Sequence, residues 1–172
     1  MVAAIELYLD VDASRRVRKL WQALEEEGVQ TLASLLDERH RPHVSLAAAR
    51  RLEPEAVTAA LAGHAVGGGL TLELDFVGQF IGRVLWLGVT PTLELLELHR
   101  AVHDRLAGRG IEVWEHYRPG RWVPHCTISM RVPNPLMGAA VRRCLEFLPI
   151  RATVTGAAVT DHANDVAQPL TP

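Results

Sequence analysis

The chain has 172 residues, 48% hydrophobic and 22% charged, with a formal net charge of −2. That length and balance fit a globular protein able to bury a core without disulfide or metal staples. They exclude a large basic surface for long nucleic acid; no apolar run approaches a membrane span, and the two cysteines, Cys126 and Cys144, match neither a metal spacing nor a disulfide framework.

The N-terminus, MVAAIELYLDVD, lacks a basic n-region, so no secretory signal is expected and a reducing, cytoplasmic setting is the default. Residues 2–9 alternate around Ile5, Leu7 and Leu9 and predict a first strand. A helix is predicted from about Ser14, with Val17, Leu20, Trp21 and Leu24 on one face and Gly28 as its stop. Residues 43–48 read as a short strand, and Pro54 opens a second helix with Val57 and Leu61 inward. Strict alternation over 70–77 (Leu70, Leu72, Leu74, Phe76) predicts a half-buried antiparallel strand, with 84–89 as its hairpin partner. Thr90 as cap and Pro91 as first residue start a long third helix carrying Leu95, Leu98, Val102 and Leu106. A strand-like IEVWEHY segment leads through RPGRW to a strand over 124–130. Asn134-Pro135 starts a fourth helix through Val141, Leu145 and Leu148, and 150–160 form a last strand. The residues after it lack apolar periodicity.

The order, roughly βαβ-αββ-αββ-αβ, predicts an α+β fold: two similar lobes of antiparallel sheet with helices packed outside. The expected organisation is a single bilobal domain over 1–162 and a loose tail over 163–172.

The chemistry sits in a repeated hexapeptide. RPHVSL (41–46) and VPHCTI (123–128) both read Pro, His, one residue, a hydroxyl residue, an aliphatic residue. On a strand, His43 and Ser45 share one face and Val44 and Leu46 the other. By the same alternation His125, Thr127, Ser129 and Arg131 share a face, away from Cys126, Ile128 and Met130. Each motif therefore offers an imidazole beside a hydroxyl. Two histidines supply a general acid and a general base near neutral pH. Two hydroxyls donate to the non-bridging oxygens of a phosphate, and in-line displacement at phosphorus needs acid and base on opposite sides.

These motifs, HVSL and HCTI, resemble the two H-x-[Ser/Thr]-h tetrapeptides (h apolar) of the two-histidine phosphoesterase superfamily, which includes 2′-5′ RNA ligases and cyclic nucleotide phosphodiesterases. The resemblance implies two α+β lobes with the active-site cleft between them. It implies His43 and His125 as the acid/base pair, Ser45 and Thr127 on the phosphate, and no metal or other cofactor. For opening a 2′,3′-cyclic phosphate it makes His125 the base that activates water and His43 the acid on the leaving 3′ oxygen. The first motif has Ser where the family often has Thr, and Arg131 stands six residues after His125 where many relatives have Arg at five.

Segment 114–122, WEHYRPGRW, offers Tyr117 and Arg121 as further substrate-binding candidates by stacking and phosphate clamping, and Arg131 joins them. Trp122 falls on the opposite face by alternation. His99 and His103, at i and i+4 on the third helix, read as a solvated face because no third ligand is in view. His40, His64 and His116 read as surface residues, Arg41 as a possible phosphate contact, and Cys126 as a buried thiol. The GGG at 67–69 lacks the following Lys-[Ser/Thr] of a phosphate loop.

The expectation is a cytoplasmic, metal-independent, monomeric phosphoesterase acting on a 2′,3′-cyclic phosphate or related phosphodiester of a nucleotide or RNA end, without membrane or long nucleic-acid partners. The alternatives are reversible 2′-5′ RNA ligation and a non-catalytic nucleotide- or RNA-binding module. A metal hydrolase would need carboxylates beside the histidines, and neither motif carries one on its histidine face.

Overall fold

The computed structural model describes residues 2–35 and 40–170. In chain order its elements are β1 (Ala3–Leu9), α1 (Val11–Glu26), a single turn α2 (Leu32–Leu35), β2 (His43–Ala49), α3 (Pro54–Leu61), β3 (Thr71–Phe80), β4 (Val84–Val89) and α4 (Leu93–Ala107). A 3-10 turn over Glu115–Tyr117, β5 (His125–Ser129), a 3-10 turn over Asn134–Leu136, α5 (Met137–Phe147), β6 (Ile150–Asp161) and β7 (Val166–Leu170) follow.

All paired strands are antiparallel, in the order β2-β1-β6-β3-β4-β5, with β7 beside β6. The order is a palindrome of a repeated unit. Strand–helix–strand–helix–strand runs once from β1 to β3 and again from β4 to β6, and each unit lends its third strand to the other. The halves β2-β1-β6 and β3-β4-β5 are the two expected lobes, joined into one sheet where β3 meets Ile150–Thr153. The motif strands β2 and β5 occupy the two ends of that order, and the sheet curls until they lie near one another.

Its apolar face carries Ile5, Leu7, Val44, Leu46, Leu72, Leu74, Leu85, Leu87, Cys126 and Ile128. These join the inward residues of α1, α3, α4 and α5 in one buried cluster. Burial of this kind stabilises by about 25 cal/mol per Å² of apolar surface, so this face locks the register that leaves the opposite face polar.

The structure revises several boundaries. Helix α1 starts at Val11, three residues before the predicted Ser14, because Asp10 caps it: its carboxylate accepts from the backbone N–H of Asp12 and Ala13, both at 3.0 Å. Helix α4 is capped by Thr92, whose Oγ1 accepts from Leu95 N–H at 3.3 Å. Thr90 instead donates to Asp75 at 2.8 Å. Phe76 leaves the buried face, at 39% exposed, because the β3–β4 register shifts between Leu74 and Phe76. Helix α5 buries Ala140 and Cys144 rather than Leu145, which is 52% exposed; the preceding 3-10 turn absorbs Pro135 and resets the phase. IEVWEHY is no strand: it makes a single backbone bond to β2, from Trp114 N–H to Ala48 C=O at 2.8 Å, and then turns. Residues 163–170, read as a loose tail, form a turn and strand β7, which pairs along β6 from Asp161 to Ala157. Residues 171–172 lie outside the described residues.

Candidate active site

The two motif strands are built alike in ways beyond the sequence. The residue before a proline is held extended, and here that directs the carbonyl two residues back onto each histidine. His43 Nδ1 lies 2.8 Å from Arg41 O, and His125 Nδ1 lies 2.6 Å from Val123 O. A carbonyl only accepts, so Nδ1 carries the hydrogen in both rings and Nε2 is the nitrogen not engaged by that carbonyl. Each strand then bulges at the fourth motif residue. Ser45 pairs with Glu6 while Ala47 pairs with Ile5, leaving Leu46 extra; Thr127 pairs with Trp86 while Ser129 pairs with Leu85, leaving Ile128 extra. Leu46 and Ile128 are fully buried and anchor the bulges.

His43, Ser45, His125 and Thr127 are half-buried and alternate with buried neighbours. The other edge of β2 is closed off by side chains instead of a strand. Trp122 Nε1 donates to Ser45 O at 3.1 Å and His103 Nε2 to Leu46 O at 3.0 Å, which satisfies carbonyls that an open edge would expose. Tyr117 is drawn in by the same loop to lie beside the Ser45 side chain. Burial raises its phenol pKa, Glu6 adds to that, and the Ser45 side chain opposes it.

The two histidines sit in different electrostatic surroundings. Burial lowers the pKa of His125; the bond to Val123 opposes this, and the positive charge of His43 lowers it further. Phe80 and Trp86 wall this ring, with centroids 4.9 and 5.6 Å away. Beside His43 stands Glu6, reaching from β1 with Oε1 3.4 Å from His43 Nε2 and 2.9 Å from His162 Nε2. Burial would push the Glu6 carboxyl up. The charge of His43 and the bonds and charge from His162 and Thr160 outweigh it and hold the group at about 2, so it is an anion.

Glu6, His162 and His40 are functional candidates that sequence reasoning missed. Glu6 was legible in principle: the alternation that buries Ile5 and Leu7 turns Glu6 and Tyr8 to the other face, and pairing β1 with β2 sets them against Ser45 and His43. His162, in the turn after β6, had no local signal. His40, expected at the surface, is buried with its ring 4.0 Å from His162, and burial followed by the charges of His162 and His43 lowers it to about 4. Neither motif carries a carboxylate on its histidine face, but Glu6 from β1 brings one beside His43. Among the described residues, no cluster of three or more His, Cys, Asp or Glu is arranged to hold a metal ion.

His99 and His103 do not form a solvated face. Both are buried: His99 donates to Tyr117 O at 2.8 Å and stacks flat on Trp122, ring centroids 4.0 Å apart. Trp122 is thereby the hinge pin of the loop that carries Tyr117. Arg121 pairs with Glu115 at 2.7 Å, both exposed, and is not drawn against the motif strands. Arg131 is exposed and lies beyond the end of β5; the bulge at Ile128 resets the alternation that set it on the His125 face. Ser129, by the same reset, is buried and donates to Gln30 O at 2.6 Å. Cys126 is buried as expected, which raises its thiol to about 12.

Solved structures share this fold. Escherichia coli LigT complexed with 3′-AMP superposes with a TM-score of 0.64 at 22% identity, over 98% of this chain and 94% of LigT. LigT in apo form gives 0.63 at 22% identity, over 99% and 94%. The MHV ns2 PDE domain gives 0.50 at 24% identity, over 74% and 81%. No curated protein matches the chain in sequence. A sequence model described as the 2′-5′ RNA ligase superfamily matches residues 11–166, a span that takes in both histidine strands and the helices behind them. The paired histidine strands thus belong to a known lineage, and the chain is a member of the 2′-5′ RNA ligase superfamily.

Proposed function

We propose that this protein is a metal-independent phosphoesterase that opens a 2′,3′-cyclic phosphate, or a related cyclic phosphodiester, by acid–base catalysis between its two motif histidines. The observation that carries the reading is the matched pair of strands, each with Nδ1 pinned to the carbonyl two residues back and Nε2 left for chemistry. His125, biased toward its neutral form, takes a proton from water as the water oxygen bonds to phosphorus. The bond to the 3′ oxygen breaks, and that oxygen takes a proton from His43 Nε2. The product is a 2′-phosphate, with one proton received and one given. Ser45 and Thr127 donate to the non-bridging oxygens, and Tyr117 orients the Ser45 hydroxyl. Arg121 and Arg131, exposed on the flanking loops and not against the motif strands in this structure, are the remaining candidates for phosphate contact, and their substitution tests them.

Phe80, half-buried beside His125 and backed by the buried Trp86, offers a ring for a base. Similar folds bind 3′-AMP, ATP and NADP+ in the LigT structures, which supports a nucleotide or RNA-end substrate. Both cysteines are free and buried, in keeping with a reducing cytoplasm, and we take the acting unit to be a monomer. The family description favours reversible 2′-5′ RNA ligation as the second reading, in which the histidines exchange roles.

The test is hydrolysis of the four nucleoside 2′,3′-cyclic phosphates in excess EDTA by wild type, His43→Ala and His125→Ala. Turnover that survives EDTA and falls by about 10²–10⁴-fold in each variant is expected. Turnover abolished by EDTA overturns the metal-free mechanism. Absence of turnover in wild type transfers the weight to ligation, scored on RNA ends.

A further inference from the structure

Among the described residues, the cluster behind His43 has no counterpart behind His125. Glu6 on β1 and Trp86 on β4 occupy matching places, opposite Ser45 and Thr127. An anion therefore backs one histidine and an indole the other. Glu6 is 2% exposed and stands nearer to His162, at 2.9 Å, than to His43, at 3.4 Å. Thr160 and Tyr8 also lie beside it, and the His40 ring lies 4.0 Å from that of His162.

We propose, resting on the reading above, that Glu6 and His162 are positioning residues for the proton donor: the buried carboxylate supports the imidazolium of His43, and His162 holds that carboxylate back so that the Nε2 proton stays available to the leaving oxygen. A carboxylate that closed fully on Nε2 would capture the donor. One that was absent would leave the imidazolium beside Arg41 and the His125 ring without a counter-charge. The charged and titratable groups facing the cluster are Tyr8 from β1, His40 and Arg41 before β2, Tyr117 from the 3-10 turn, His125 from β5 and Asp161 from β6. Of these, His40 is held neutral by its burial and Asp161 favours the charged form of His162.

The experiment compares wild type, Glu6→Gln and His162→Ala in two readouts. In the pH–rate profile of kcat, the alkaline limb reports loss of the donor's proton. Glu6→Gln moves that limb down by about one pH unit, since an opposite charge within ~4–6 Å shifts a titration by that order or more. His162→Ala moves it up, lowers kcat several-fold at the optimum and leaves KM within about twofold, because a more tightly held proton is given up more slowly. Movement of both variants in one direction, or a uniform loss at every pH, overturns the proposal. Ring ¹⁵N spectra of the substrate-free protein give the second readout. The His43 signal moves toward the neutral form in Glu6→Gln and toward the imidazolium in His162→Ala. An unchanged His43 signal in both folded variants overturns the coupling whether or not cyclic phosphates are turned over. Absence of turnover with a responsive His43 signal overturns only the substrate assignment.

Discussion

The buried His99 makes a measurable prediction about acid stability. It is 2% exposed, and burial followed by the charge of the adjacent His103 lowers it from an ordinary 6.5 to about 4. A folded-state value below the unfolded one gives stability that is fully present above pH 6.5 and is lost as the pH falls toward 4. Each unit of difference corresponds to about 1.4 kcal/mol, so this group contributes up to about 3 kcal/mol, of which about 2 kcal/mol is gone by pH 5. His40, lowered to about 4 by burial, acts in the same direction. The perturbation is His99→Phe, which keeps a flat ring on Trp122 and removes both the titration and the hydrogen bond to Tyr117 O. Urea unfolding near pH 7.5 should find the variant about 1 kcal/mol less stable, for the lost hydrogen bond. Between that pH and 5 it should lose about 2 kcal/mol less than wild type, so the two stability curves cross. Equal acid sensitivity in both proteins would refute the assignment of this loss to His99.

Gly88→Ala and Gly78→Ala probe the wall of the cleft. A Cβ at Gly88 would come within 2.0 Å of the Phe76 ring, and one at Gly78 within 2.1 Å of Trp86. Each should lower stability by about 1–3 kcal/mol through overpacking, read from the urea midpoint; no change would mean that the rings move aside freely. Arg121→Ala and Arg131→Ala test the flanking loops. Both residues are exposed, and the pair that Arg121 makes with Glu115 is screened by solvent and contributes little to stability. Stability should hold while KM for a cyclic mononucleotide rises several-fold at constant kcat. An unchanged KM removes that arginine from the site.

The paired motif was legible because chemistry and secondary structure agree in it. The alternation that buries Val44 and Leu46 also presents His43 and Ser45, and the prolines before the histidines mark where each strand begins. Alternation carried the argument only as far as the bulges. Beyond Ile128 it misplaced Ser129 and Arg131, because a bulge is a property of two strands in register and leaves no trace in one strand's pattern. The helix periodicity around Leu95, Val102 and Leu106 was right, but His99 and His103 were read as solvated because the loop that covers them lies further along the chain. Isolated polarity says nothing of a distant Trp122.

What the sequence by itself determined is local: strands where apolar residues alternate, helices where they recur every three to four, and the two imidazoles and two hydroxyls that the motif strands present on one face. Those follow from backbone geometry and side-chain chemistry, which act over a few residues. Only the tertiary structure decided which strands end up side by side, through the exchange of β3 and β6 between the two repeated units. That exchange brings Glu6 from one end of the chain and His162 from the other to the same histidine. Two imidazoles alike in sequence thereby come to sit in unlike surroundings, since a buried charge acts through space and burial is settled by the whole fold.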